Sequence, residues 1–393
     1  MSVKQKKIKI GFFNSIDTTI PLPRGVINAP IIFTKNLAKR LSEKGHQVSL
    51  FALKNSRLPG VKIYSLDYKW NKNPETGNMD WVSHTWLSPK FLNYQLEKNI
   101  KKFYNQLAIS EICIRQKQFD ILHFNYSEID NIIPFAKLFK TPVLIVIHDY
   151  ITPLRKIVFK EAQNFKNIYF VSISASQHKS FKKANFIETI HHGINVNGFQ
   201  FNPNPKNYML FSGRLFYKKG VDAAIKAAQK SKNNLKIIGT INDLDYYNKF
   251  IKPYLNKNIQ YLGVKHGQEL IRFFQNARVF LFPIRWKEPF GLVMIEAMAC
   301  GTPVIAFNRG SVPEIIKNKE TGFIVAPFDK KGKPNIQGLV KAIKKIYQMP
   351  EAEYKKMRHN CRRHVEKNFT VDKMVDNYEK VYYKILSRQQ KIK

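Results

Sequence analysis

The run Val279-Phe280-Leu281-Phe282-Pro283-Ile284-Arg285-Trp286-Lys287-Glu288-Pro289-Phe290-Gly291-Leu292-Val293-Met294-Ile295-Glu296-Ala297-Met298-Ala299-Cys300-Gly301-Thr302-Pro303-Val304-Ile305-Ala306 changes period twice. It opens as a short strand with no polar alternation. It continues as a helix over 291–299, turns at Gly301-Thr302-Pro303, and resumes as a second apolar strand. Strands that are greasy on both faces belong in a parallel sheet covered by helices. The same run sets two carboxylates, Glu288 and Glu296, around an apolar segment. Charges so placed are costly unless each finds a partner, which marks the segment as a candidate ligand site.

The pattern extends in both directions. Strand-like runs start at Ile8, Val48, Asp120, Pro142 and Tyr169, and Thr189-Ile190-His191-His192 continues the series. A helical pattern from Ile31 to Lys44 stops at Gly45. The polar, turn-rich stretch from Asn195 to Pro205 reads as a linker. A second series then begins at Tyr208, with strands at 235–238, 259–262, 279–282, 304–307 and 323–326, and the tail from Ile336 is nearly all helical. The expected architecture is α/β, with two doubly wound Rossmann-like domains, 1–200 and 201–370, facing across a cleft that takes the ligand.

The chain of 393 residues is too long for one ordinary core, and 44% hydrophobic residues can fill two. No apolar run approaches the roughly 18 residues of a membrane span, and the N-terminus shows no signal-peptide core. Three scattered cysteines, Cys113, Cys300 and Cys361, suit a reducing cytoplasm. His191-His192 has no third ligand at zinc spacing, and Gly11 belongs to no dinucleotide fingerprint. With 66 Lys and Arg against 28 Asp and Glu, the formal charge is +38, a field that attracts anions. No nucleic-acid-binding motif accompanies it, so a specific nucleic-acid partner is not expected.

Two turns carry candidate chemistry. In Phe211-Ser212-Gly213-Arg214-Leu215-Phe216-Tyr217-Lys218-Lys219-Gly220, Arg214 and Lys219 stand at a strand's carboxyl end beside a helix start. The helix dipole disfavours cations there, and a bound phosphate would remove the conflict. In the opening run, the helix-start amides at 290–293 suit a phosphate. At helical rise, eight residues separate the two glutamates by about 12 Å. That exceeds the ~5 Å or ~6.5–9.5 Å of a glycosidase pair.

Gly213-Arg214-x4-Lys219-Gly220, Glu288-x7-Glu296, Gly301-Thr302-Pro303-Val304-Ile305, Gly310-Ser311-Val312-Pro313-Glu314 and Thr321-Gly322-Phe323-Ile324-Val325 together resemble a family-4 retaining glycosyltransferase of the GT-B fold, the glycosyltransferase group 1 type. The resemblance covers the C-terminal half nearly end to end. The N-terminal half matches more loosely, through Ile147-His148-Asp149 and His192-Gly193-Ile194-Asn195.

The resemblance implies that Arg214 and Lys219 bind the diphosphate of a UDP- or GDP-linked sugar, that Glu296 holds the ribose, and that Glu288 meets the donor sugar. Gly213, Phe290, Gly291, Leu292 and Val293 would line sugar and phosphate, with Gly239 and Val264 beside the base and His148 near the reacting carbon. It implies no cofactor and no metal, and a C-terminal helix, 371–393, that packs back on the first domain. Relatives carry a paired-glycine loop and a Glu after the first strand. Here 21–30 keeps only Gly25, with Pro30 near the Glu position.

The expected function is transfer of a hexose-type sugar to a hydroxyl acceptor (a glycan, lipid or lipid-linked glycan) in cell-envelope glycan synthesis. The expected location is the cytoplasm, with peripheral contact to anionic membrane through Lys98, Lys101, Lys102 and neighbouring apolar residues. Epimerase or phosphorylase chemistry on the same fold, and non-enzymatic polyanion binding, are the alternatives.

Overall fold

In a computed structural model, which describes residues 6–16, 18–23, 28–67, 90–126, 128–180 and 184–390, the apolar runs form two parallel sheets. The first contains β1 (Lys9–Phe13), β2 (Gln47–Leu53), β3 (Lys62–Leu66), β4 (Ile121–Phe124), β5 (Val143–Ile147), β6 (Ile168–Ser172) and β7 (Phe186–Thr189). Their spatial order is β3-β2-β1-β4-β5-β6-β7. The second contains β8 (Met209–Ser212), β9 (Leu235–Ile238), β10 (Ile259–Tyr261), β11 (Val279–Phe282), β12 (Val304–Phe307) and β13 (Gly322–Val325), in the order β10-β9-β8-β11-β12-β13. β4, β5, β6, β8, β11 and β12 are buried along their whole length, as strands covered on both faces should be.

The chain separates into two units. One is Met1–Ile173, His178–Ile190 and Met374–Lys393; the other is Ser174–Gln177 and His191–Lys373. The division after Ile190 falls ahead of the expected boundary at 200, and the return to the first unit begins at Met374 rather than 371. The run Thr189–His192 is not a strand: β7 ends at Thr189, because β6 pairs with Phe186 to Thr189 and stops there. The final helix, Val371–Gln390, contributes Tyr378 and Tyr382 to the first unit's buried interior. The Tyr382 hydroxyl meets His123 Nδ1 at 2.5 Å, and Phe33 packs edge-on against Tyr378. Lys44 forms ion pairs with Asp376 and Glu379 on the same helix.

In each sheet the strand order reverses once: between β1 and β4 in the first, and between β8 and β11 in the second. The crevice beyond the carboxyl ends at such a switch point is where open α/β sheets bind ligands.

Candidate functional site

In the second unit, both candidate turns leave strands at the switch point. β8 ends at Ser212, and Gly213-Arg214 follows. The chain then forms a 3-10 turn, Tyr217–Lys219, before Gly220 caps the helix Val221–Ser231. β11 ends at Phe282 and leads through Arg285, Trp286 and Glu288 to the helix Leu292–Ala299, capped by Gly291. The turns meet at an ion pair: Lys219 Nζ lies 2.9 Å from Glu288 Oε2. Trp286 Nε1 donates to the same oxygen at 2.7 Å. Glu288 is only 8% exposed, so this pairing lets a carboxylate sit there. Lys219 Nζ also rests 5.2 Å from the centre of the Trp286 ring.

Glu288 lies in the turn before the helix, while Glu296 is inside it. The ~12 Å separation expected from helical rise therefore does not apply, because that rise holds only between two residues of one helix.

Glu288 is fixed from behind by the loop after β12. A Cβ on Gly310 (φ 58°) would overlap the backbone nitrogen and carbonyl oxygen of Glu288, so only glycine lets the chains approach so closely. Ser311 N–H then donates to Glu288 O at 3.0 Å, and Ser311 Oγ to Phe290 O at 2.5 Å. Phe290 is buried, with its ring edge-on to His192. Met294 N–H bonds back to Gly291 O, so the N–H groups of Leu292 and Val293 stand outside the helix ladder and are open to an acceptor. Glu296 is half-buried, and burial pushes its carboxyl up to about 7.

Arg214 is exposed, with its guanidinium over the Phe216 ring at 5.4 Å. Beside it, Gly213 N–H donates to Ile238 O, and Gly239 N–H donates to Gly263 O, both at 3.0 Å. A Cβ on Gly239 would overlap the Gly213 carbonyl, so bare backbone lines the carboxyl ends of β8, β9 and β10. Val264 is 42% exposed next to that surface.

Of the remaining expected residues, His148 follows β5 in the first unit and packs edge-on against Phe33 at 5.0 Å. Gly25 lies outside the described residues. Arg285 and Trp286 were missed by the sequence reading as site residues. Arg285 Nη2 meets Asp222 Oδ2 at 2.7 Å, and its Nη1 donates to Tyr217 O at 3.0 Å. Nothing in the spacing signals these contacts, because Arg285 and Asp222 are 63 positions apart.

Among the described residues, no group of three or more His, Cys, Asp or Glu side chains could hold a metal ion. The one Asp-x-Asp sequence, Asp243-Leu244-Asp245, spends its first carboxylate capping a helix at Tyr246 N–H.

The glycosyl transferases group 1 family matches residues 197–367, which carry all of the second unit's site. The chain is 29% identical over 185 residues to the capsular polysaccharide biosynthesis glycosyltransferase CapM of Staphylococcus aureus, covering 46% of this chain and 47% of that protein. The chain spans under half the length of the first curated relatives it matches, 45% and 41%. Sucrose-phosphate synthase from Thermosynechococcus elongatus superposes with a TM-score of 0.76 at 19% identity, covering 97% of this chain and all of that one. Anabaena HepE, solved in complex with UDP and glucose, superposes with a TM-score of 0.68 at 15% identity, covering 96% of this chain and 100% of its own. At such identities the likeness is one of fold. Residues 197–367 thus match the glycosyl transferases group 1 family, and the fold of the chain is GT-B.

Proposed function

We propose that the protein transfers a hexose-type sugar from a UDP- or GDP-linked donor to a hydroxyl acceptor, retaining the anomeric configuration and using no metal ion. The observation that carries this reading is the Lys219–Glu288 ion pair at the β8/β11 switch point, with exposed Arg214 on the turn after β8 and half-buried Glu296 on the helix after β11.

In this reading Arg214 grips the diphosphate as a bidentate fork and Lys219 as a point charge. Both neutralise the charge that grows on the leaving nucleoside diphosphate, which is electrostatic transition-state stabilisation. The bare backbone at Gly213 and Gly239, next to Val264, receives the base. Glu296 accepts hydrogen bonds from the ribose hydroxyls. Glu288 and the amides from Phe290 to Val293 orient the sugar. The donor is a substrate, and no cofactor enters.

The test is a panel of nucleotide sugars. A true donor at 100 times its dissociation constant stabilises the fold by about 2.7 kcal/mol. Arg214→Ala and Lys219→Ala are expected to lower turnover about 10²–10³-fold. Failure of every UDP- and GDP-linked sugar to raise the melting temperature would sink the reading. Epimerised donor, or phosphate-dependent cleavage, would point to the other chemistries of the fold.

The acceptor in this proposal is an envelope glycan or its lipid-linked precursor, reached from the inner face of the membrane. The similarity to CapM supports the glycan class. No described helix is long and apolar enough to cross a membrane. Peripheral contact is supported by Phe103 (54% exposed) beside Lys101 and Lys102, and by Ile157 (61% exposed) beside Lys156. The side chain of Lys98 and its apolar neighbours up to that point lie outside the described residues. Flotation with anionic but not neutral liposomes is the expected result. Equal recovery from both would remove the membrane from the proposal.

A further inference from the structure

We propose that Trp286 is a positioning residue: its indole N–H holds Glu288 in place while Lys219 turns from that carboxylate to the diphosphate of the donor. The inference rests on the nucleotide-sugar reading above.

Glu288 is satisfied asymmetrically. Lys219 Nζ and Trp286 Nε1 both donate to Oε2, at 2.9 and 2.7 Å, and no hydrogen bond from the described residues reaches Oε1. One oxygen is thus fully engaged by the protein and the other is available to a ligand hydroxyl. The two donors differ in kind. Lys219 is a mobile cation with three N–H bonds on a flexible stem. Its ammonium sits against the Trp286 ring at 5.2 Å and the Phe282 ring at 5.8 Å, so it can change partner without leaving the aromatic surface. A diphosphate offers it more charge and more acceptor atoms than one carboxylate does. Glu288, at 8% exposure, would then lose its counter-ion in a place where an unpaired carboxylate is costly.

The indole is the donor that does not move. Its neighbour Arg285 is pinned at three points: Arg285 N–H donates to Lys218 O at 2.9 Å, Nη1 to Tyr217 O at 3.0 Å, and Nη2 meets Asp222 at 2.7 Å. The Asp222 carboxylate is held in turn by the Tyr246 hydroxyl. The Arg285 ring contact continues onto Tyr217, 4.2 Å from the guanidinium. The backbone that carries Trp286 is therefore tied to the turn that carries Lys219, whichever partner the lysine takes. Phe216 meets the indole edge-on at 6.5 Å.

The variant is Trp286→Phe, which keeps an aromatic ring and deletes the N–H. UDP and GDP binding is read by calorimetry. Turnover is read as nucleoside diphosphate released from UDP-glucose and GDP-mannose. The expected result is unchanged nucleoside diphosphate affinity and donor KM with kcat about 10- to 100-fold lower, the size of one hydrogen bond to a charged group. Unchanged kcat overturns the inference. So does an equal loss of nucleoside diphosphate affinity, which would make Trp286 part of the structural brace. Trp286→Tyr, with its donor displaced, is read in the same way should the phenylalanine variant not fold. If the unmodified chain binds and turns over none of these probes, the nucleotide-sugar reading itself falls, a failure seen before any variant is made.

Discussion

Glu296 gains no stability from being ionised in the ligand-free protein, because burial alone pushes its carboxyl up to about 7 from 4.5. A carboxyl raised in the folded state favours folding while it is protonated. That contribution is complete below pH 4.5 and lost as pH rises through 7. At 1.36 kcal/mol per unit the loss reaches at most about 3 kcal/mol. Glu296→Gln is therefore expected to melt higher than the parent at pH 8 and level with it near pH 4, while losing affinity for the donor. Calorimetry at the two pH values checks this, and a variant no more stable at pH 8 would show that the carboxylate is well solvated. The sequence made Glu288 and Glu296 legible because charges bordering an apolar run stand out. It could not show what Glu288 touches. Lys219 is 69 positions away, and the Trp286 contact depends on a turn whose backbone path no periodicity encodes.

At the scale of elements, the helix Glu351–Asn368 shows how the second unit's helices are seated. Arg358 is fully buried, yet its guanidinium meets carbonyls rather than a carboxylate: Asn202 O at 2.5 Å, Ala277 and Gln275 at 3.3 Å, and Cys300 at 3.4 Å. Ala277 and Cys300 are the C-caps of the helices Gly267–Asn276 and Leu292–Ala299. One cation thus answers the negative ends of two helix dipoles and their orphaned carbonyls. Arg358→Met is expected to cost at least ~3 kcal/mol, since each abandoned buried acceptor costs about 1–3. Urea unfolding measures it, and a loss below ~1 kcal/mol would mean that water reaches the helix ends. Strands such as β5 and β11, apolar throughout, were legible. β3 was not, because its first four residues are exposed or half-buried and only Leu66 is buried, which leaves no apolar run to read. The end of the series before the linker was misplaced because His191 and His192 look like strand residues. In the structure they pack on Phe290, and His191 also meets Glu314 at 3.0 Å. Burial alone would raise the Glu314 carboxyl. Hydrogen bonds from His191 and from Ser176 and Ala175 N–H outweigh that and hold it below its ordinary range.

At the scale of the whole molecule, the alternating pattern made two α/β units legible. It did not show where the last helix belongs, because an amphipathic helix advertises an apolar face and not its destination. His123 reports the destination. Burial lowers its pKa to about 3, so it stays neutral against Tyr382 across the physiological range. A chain ending at Lys373 is expected to retain nucleoside diphosphate binding through the second unit while the first becomes protease-sensitive. Limited proteolysis with and without UDP or GDP would show it, and a first unit as resistant as in the longer chain would refute it.

The same arrangement orders events in time. The first unit's early strands leave the ribosome long before the helix that closes over His123. The intervening stretch, 191–373, takes roughly 10–40 s to make at ~5–20 residues per second. By the end of that interval the second unit has all its strands and can close, while throughout it the first exposes Phe33 and the β1–β4 surface to whatever chaperone stands nearest.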